Sequence, residues 1–241
     1  MQWLSPGSGD NRVPLVQYFP VYLDLRGRPC VVVGGGEVAT RKVQSALEAG
    51  ARVTVVSPTI SPALAALAET HEIVHHARPY HRGDLAGAFL AFAATDDPGL
   101  DPAIAADAAA EGVLLNVVDQ PRLCTFIVPA VVARGPLSIA VSTAGHSPAL
   151  AKRVRDEVAR VVGPEYGLAA VLLGNLRPVL RATSPDATAR ARVLAALVDS
   201  PLLAALRARD GAAVDAILAR IVGAGTSLAS LGMTLDPAVP A

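Results

Sequence analysis

Cysteine is scarce in this chain, with two in 241 residues: Cys30 in a run expected to form a buried strand, and Cys124 near an expected loop. Two such thiols support neither a disulfide framework nor a zinc cluster, and a reducing, cytoplasmic setting fits them best. Net charge is missing as well, since 21 Lys and Arg balance 21 Asp and Glu. No overall field therefore draws the chain to nucleic acid or to an anionic membrane, and any anionic ligand must be held by local groups. Long apolar runs are absent although 52% of the residues are apolar; none approaches the roughly 20 residues of a membrane-spanning helix. Charged residues make up only 17%, and so apolar a composition in a chain of this length argues for a packed core rather than disorder. The five histidines form no dense cluster, and His75 and His76 alternate across an expected strand, so no bound metal is expected. Residues 1–17 lack a basic segment followed by an apolar core and read as a loose tail rather than a signal peptide.

What is present alternates between strand-like and helix-like segments. Tyr22 to Leu25 predicts a short strand, followed by a turn at Arg26-Gly27-Arg28-Pro29. Cys30 to Val33 is a continuous apolar run expected of a central parallel strand. Gly34-Gly35-Gly36 follows at once, and Val38 to Gly50 has helical periodicity. Further strands are expected at Arg52–Val56, Glu72–His76, Phe89–Ala93 and Val113–Val118, with helices at Pro62–Glu69 and Pro102–Glu111. The alternation predicts a Rossmann-like, doubly wound parallel sheet that binds its ligand at the carboxyl ends of the strands. After Pro121 the pattern changes. Phe126–Val132 and Leu137–Val141 are apolar runs joined by Ala133-Arg134-Gly135-Pro136, too short a link for a parallel crossover, and they predict a hairpin. Ser147-Pro148 opens a helix to about Val162, and only helical segments follow Pro164. The expected organisation is α/β: a tail at 1–17, a nucleotide-binding Rossmann domain at 18–127, a β-hairpin/helix dimerisation module at 128–163, and a C-terminal helical domain at 164–241 that frays from Asp236.

Gly34-x-Gly36-x-x-Ala39 carries the clearest mechanism. The first glycine permits a tight turn, the second lets backbone approach a pyrophosphate, and small Ala39 lets helix and strand pack closely. Free N–H groups at the helix start then hold phosphate charge. The alternative is a purely structural glycine turn. The second strand ends Val55-Val56-Ser57-Pro58 with no acid to catch the ribose hydroxyls; Ser57 or Thr59 could substitute, and these residues do not separate NAD from NADP. Thr95, Asp96 and Asp119 follow later strands and fall on the same rim. Asp96 and Asp97 could equally cap the next helix. Asp119 stands before Gln120-Pro121, where the chain leaves the nucleotide domain.

Several ordered blocks carry a resemblance. They are Tyr18-Phe19-Pro20-Val21-Tyr22-Leu23-Asp24-Leu25; Val31 to Ala39 with Arg41-Lys42; Ala93 to Asp97; Asn116-Val117-Val118-Asp119; Phe126-Ile127-Val128-Pro129; and Ala140 to Pro148. In this order they resemble the precorrin-2 dehydrogenase/sirohydrochlorin ferrochelatase family, which comprises the N-terminal module of siroheme synthase and its stand-alone relatives. The resemblance spans Tyr18 to about Gly163 and implies NAD bound at the glycine turn, at Glu37 and Val38, and at the end of the second strand, at Pro58 and Thr59, beside the cofactor candidates Gly34, Gly35, Gly36, Ala39, Ser57, Thr95 and Asp96 read from the motif and the rim. It implies Asp119 as the catalytic acid/base and a homodimer formed through the hairpin region. It also implies a tetrapyrrole site at Thr143, which stands where siroheme synthase has serine; Asn116, Arg122, Ser142, Gly145 and His146 are the further candidates for substrate contact, His146 against the alternative of a loop histidine. The methyltransferase domain of siroheme synthase is expected to be absent.

The expected activity is NAD-dependent oxidation of precorrin-2 to sirohydrochlorin, with iron insertion, Fe2+ being a substrate, as a second activity found in some members. Cations at Arg122, Lys152, Arg153 and Arg155 are candidates for the substrate carboxylates, against the alternative of a solvated helix face. Two other readings stay open: an NAD-sensing binding module without tetrapyrrole chemistry, and another small-molecule dehydrogenase on the same fold.

Overall fold

The structure, a computed structural model, describes residues 18–235. The tail at 1–17 and the fraying end from Asp236 lie outside the described residues. The chain divides into two compact units between Val128 and Pro129.

The first unit is a five-stranded parallel sheet built from β1 (Pro29–Val33), β2 (Arg52–Val56), β3 (Ile73–His76), β4 (Leu90–Ala93) and β5 (Leu114–Val117), in the order β3-β2-β1-β4-β5. Helices α1 (Glu37–Glu48), α2 (Pro62–Glu69) and α3 (Asp101–Glu111) connect them. The valines of β1 serve both faces of the sheet. Val32 packs with Val43 of α1, Leu64 of α2 and Phe92 in one cluster, while Val31 and Val33 pack with Ile104 of α3 and Leu115 in another. A strand covered on both sides has no reason to alternate polar and apolar residues, and β1 does not. The register pairs Val33 with Val56 and with Ala93, and Ala93 with Val117. The central strands thus end level, and the loops that follow them form one rim. The chain runs outward from β1 to β2 and β3, then crosses to β4 and β5 on the other side, which sets the switch point between β1 and β4.

Two expected strands need correction. Tyr22–Leu25 forms no strand. The Asp24 carboxylate accepts from the Arg26 backbone N–H at 3.1 Å and pairs with its guanidinium, so a side chain takes the local role that a ladder would need. Val21 and Tyr22 are exposed, and only Leu25 of this stretch packs against the core. The expected Phe126–Val132 strand begins later, as β6 (Ala130–Arg134), because the chain at 125–126 hydrogen-bonds back to the Leu115 carbonyl and Pro129 has no N–H to donate.

In the second unit β6 pairs antiparallel with β7 (Leu137–Val141) across the Gly135-Pro136 turn. Helix α4 (Pro148–Val161) starts at Ser147, whose Oγ accepts from the Leu150 N–H, with Pro148 in the first turn. Its C-terminal end is closed by Arg134, whose guanidinium donates to the Val162 and Ala159 carbonyls at 2.9 and 3.0 Å. Helices α5 (Pro164–Thr183), α6 (Ala187–Val198), α7 (Leu202–Arg207) and α8 (Gly211–Ile221) surround a separate core centred on Leu172, Leu176, Leu197, Leu206 and Leu218.

Candidate functional site

The glycine turn joins β1 to α1 at the switch point, and its three glycines meet different surroundings. Gly34 has φ +118°, and a Cβ there would stand 2.1 Å from the Ala94 carbonyl oxygen after β4. A Cβ on Gly35 would stand 1.9 Å from the Thr59 carbonyl oxygen. Both positions are closed by the protein's own backbone. A Cβ on Gly36 would meet nothing within 4 Å. Gly36 is also the residue that begins α1, and no side chain caps that end. The first N–H groups of α1 are therefore left for an anion, beside the one glycine of the three that faces open space. Ala39 is fully buried against β1 and allows the close helix–strand approach expected of it. Glu37 is exposed and Val38 half-buried at the same helix start.

The β2–α2 loop is laced to this turn. The Ser61 N–H donates to the Gly35 carbonyl at 2.8 Å, and Thr40 Oγ1 lies 2.9 Å from the Gly36 carbonyl and 2.8 Å from Ser61 Oγ. Ser57 is buried, and its hydroxyl donates to the Thr59 carbonyl at 2.6 Å. It shapes the loop that Pro58 and Thr59 present at the surface. After β4, Thr95 Oγ1 accepts from the Asp97 N–H at 3.1 Å, and the Asp97 carboxylate accepts from the Gly99 N–H at 2.9 Å. Asp97 thus fixes the turn before α3 rather than capping that helix, whose N-cap is Leu100. Asp96 is exposed on the rim.

Asp119 follows β5 on the same rim, two strand positions from β1 and hence roughly 10 Å along the sheet. It is exposed and has φ +58°, the left-handed region that Asp tolerates better than most residues. Asn116 sits one turn of the pleat below, buried, with its amide donating to the Phe126 carbonyl at 3.1 Å. That engagement makes Asn116 a brace for the returning chain rather than a rim residue. Arg122 is exposed in the short 3-10 turn Pro121–Leu123.

Lys42 and Cys124 were not among the expected site residues. The Lys42 ammonium lies 5.4 Å from the Phe92 ring centre, and burial, then the neighbouring Arg41, pull its pKa down. The Cys124 thiol meets the backbone of Val117 and Gln120. The signal that could have found these two is the apolar-to-polar switch within a helix face and within the return after β5.

The remaining expected site residues belong to the second unit. Thr143 Oγ1 donates to the Ser147 carbonyl and accepts from its N–H, at 3.0 and 3.1 Å, while Ser142 Oγ accepts from the Ala144 N–H at 3.0 Å. Ala144 and Gly145 both have positive φ, and this tight loop leaves Ser142, Gly145 and His146 exposed ahead of α4. Of the candidate helix cations, Arg153 is paired with Glu157 and Arg155 with Asp156, each at 2.6 Å, whereas Lys152 is exposed without an ion pair among the described residues. Among the described residues no group of three His, Cys, Asp or Glu is placed to hold a metal. No helix among them is long and apolar enough to cross a membrane.

Comparison with known proteins gives three consistent results. Residues 21–130 match a family model described as "Putative NAD(P)-binding", and residues 134–160 match "Sirohaem biosynthesis protein central". A siroheme synthase from Chromobacterium violaceum is 40% identical over 210 residues, which cover 87% of this chain and 45% of that protein. One from Methylobacillus flagellatus is 43% identical over 166 residues, covering 69% and 36%. The chain thus spans less than half the length of these curated relatives. The solved structure of SirC, a precorrin-2 dehydrogenase, superposes with a TM-score of 0.70 at 26% identity and covers 85% of this chain and 99% of its own.

Proposed function

We propose that this chain, which belongs to the family of the siroheme synthase N-terminal module and the stand-alone precorrin-2 dehydrogenases, oxidises precorrin-2 to sirohydrochlorin with NAD. The observation that carries the reading is the shared rim. Gly36 opens onto empty space at an uncapped helix start, and the Asp119 carboxylate leaves the same sheet edge two strands away. NAD, when bound, supplies the acceptor for the hydride that leaves the substrate. The backbone of Gly36, Glu37, Val38 and Ala39 would hold the pyrophosphate, and Pro58, Thr59, Thr95 and Asp96 would border the rest of the dinucleotide. Gly34, Gly35 and Ser57 shape the loops that do so.

Asp119 accepts the proton that must leave carbon as the hydride departs, so the two electrons and the proton lost by the macrocycle are both accounted for. Arg122 is a candidate charge-assisted donor to a substrate carboxylate, and Lys152 is another. Ser142, Gly145 and His146 are further candidates for polar contact with the substrate, with Thr143 setting their loop conformation. Asp119 also suits a second step, Fe2+ insertion into sirohydrochlorin, in which an exposed carboxylate takes up the pyrrolic protons. An anaerobic iron-insertion rate no higher than the uncatalysed one removes that step.

The partner is a second copy of the chain. The β6–β7 hairpin leaves Val131 and Ala133 exposed, and a two-stranded sheet with an apolar outer face is stabilised by burial against another subunit. Sedimentation showing only monomer at micromolar concentration contradicts the dimer. Two reduced thiols suit a cytoplasmic setting.

The deciding experiment is anaerobic incubation with precorrin-2 and NAD, followed at the sirohydrochlorin absorbance, for the wild type and Asp119→Asn. Loss of a positioned acid/base is expected to lower turnover by about 100-fold or more while NAD affinity stays within about twofold. Wild-type turnover in Asp119→Asn overturns the assignment.

A further inference from the structure

Strand β5 ends the sheet, and the outward N–H and C=O groups of Leu115 and Val117 have no neighbouring strand. Both residues are nevertheless satisfied, by the chain that returns along this edge. At Leu115, the N–H donates to Thr125 Oγ1 at 2.7 Å and the carbonyl accepts from the Thr125 N–H at 2.8 Å. At Val117 the partner is a thiol: the Val117 N–H donates to Cys124 Sγ at 3.2 Å, and the thiol lies 3.2 Å from the Val117 carbonyl and 3.4 Å from the Gln120 carbonyl, both acceptors. The residues it touches bracket Asp119. The turn they enclose holds Asp119 at φ +58°, a conformation that an L-residue, even Asp, adopts only where its surroundings impose it.

We propose that Cys124 is a positioning residue whose thiol ties Val117 to Gln120 and so fixes the turn that presents Asp119 to the substrate. The proposal deepens the functional reading above and rests on it, since Asp119 must be the proton acceptor for its placement to matter. Burial raises the thiol's pKa by more than the Val117 amide and Lys42 lower it, so sulfur keeps its proton and can donate as well as accept. The contact is local: the Asn116 amide also reaches the thiol, at 3.6 Å, but it holds the Phe126 carbonyl at 3.1 Å without it, and Thr125 holds Leu115. Without the thiol the turn keeps its own backbone bonds, the long Gln120 N–H to Val117 carbonyl contact at 3.4 Å and the Leu123 N–H to Gln120 carbonyl bond at 3.0 Å, so residues 118–123 loosen without unpicking β5.

The test compares Cys124→Ala and Cys124→Ser with the full-length wild type in two assays. The first is anaerobic precorrin-2 turnover, with NAD affinity measured separately by calorimetry. The second is trypsin digestion under native conditions, with the nick after the exposed Arg122 identified by fragment mass. Displacing a reacting group by a fraction of an ångström to 1 Å costs up to about 100-fold in rate, so Cys124→Ala is expected to lose about 10- to 100-fold in kcat with NAD affinity unchanged. Loss of one buried hydrogen-bonded clasp is expected to speed the Arg122 nick about tenfold. Cys124→Ser, which restores a donor and acceptor, recovers most of both. A Cys124→Ala protein with wild-type kcat and wild-type nicking overturns the proposal, and so does a kcat loss with unchanged nicking that serine does not rescue. If the wild type itself fails to oxidise precorrin-2, the functional reading falls, and the nicking assay alone decides whether the thiol holds the turn.

Discussion

At the scale of single residues, the triple glycine divides its work. Gly34 and Gly35 have no side chain because the Ala94 and Thr59 carbonyls occupy that volume, whereas Gly36 has none beside open space at the start of α1. Substitutions should separate the two roles. Gly36→Ala is expected to leave the thermal midpoint within a degree or two of wild type and to weaken NAD binding by about tenfold or more, because a methyl group intrudes where the pyrophosphate approaches. Gly34→Ala places a methyl against a backbone carbonyl at a positive φ, and should cost on the order of 3 kcal/mol of stability in urea unfolding before any ligand is added. The spacing of Gly34, Gly36 and Ala39 made the turn legible in sequence. Which glycine faces ligand was not, because that depends on loops after β2 and β4 that are distant in sequence. Ser57 shows the same limit: a hydroxyl at a strand end reads as a ribose partner, but its nearest acceptor proves to be the Thr59 carbonyl.

At the scale of elements, the parallel strands were legible because burial on both faces produces runs such as Cys30–Val33 that little else requires. The strand expected at Tyr22–Leu25 failed for a local reason, the Asp24 side chain bonding to the Arg26 backbone, which hydrophobic pattern cannot register. The packing of α5 against α7 was also invisible in sequence. It includes Glu165, almost fully buried, which accepts from the exposed guanidinium of Arg207. Burial is the largest single influence and pushes the Glu165 pKa up, but the Arg207 hydrogen bonds and charge, together with hydrogen bonds from the Glu165 and Gly163 backbone, outweigh it and hold the carboxyl below its ordinary value. A depressed carboxylate stabilises the fold above its unfolded pKa and loses that contribution as pH falls through the lower folded pKa. Glu165→Gln is therefore expected to lower the thermal midpoint at pH 7, with the gap to wild type narrowing below about pH 4.5. A gap that stays constant between pH 7 and pH 3 contradicts this account.

At the scale of the whole molecule, each unit carries its own core, and the residues assigned to the dinucleotide all lie in the first. Leu172→Ala, deep in the second core, is expected to cost about 2–5 kcal/mol in denaturant unfolding. NAD affinity measured below the unfolding range should match wild type, and a parallel loss of affinity would show that the units are not energetically separate. The change from α/β alternation to hairpin and helices after Pro121 was plain in sequence, since the 133–136 link is too short for a crossover. The return along β5 was not, because the Cys124 thiol, the Thr125 hydroxyl and the Thr125 N–H do there what the backbone of a sixth strand would do. That substitution bears on how the sheet can grow. A polymer of sheets needs two reactive ends per molecule, and the Cys124–Thr125 return caps one of them, leaving only the β3 margin. Strand addition through this sheet alone can therefore join one neighbour and then terminates.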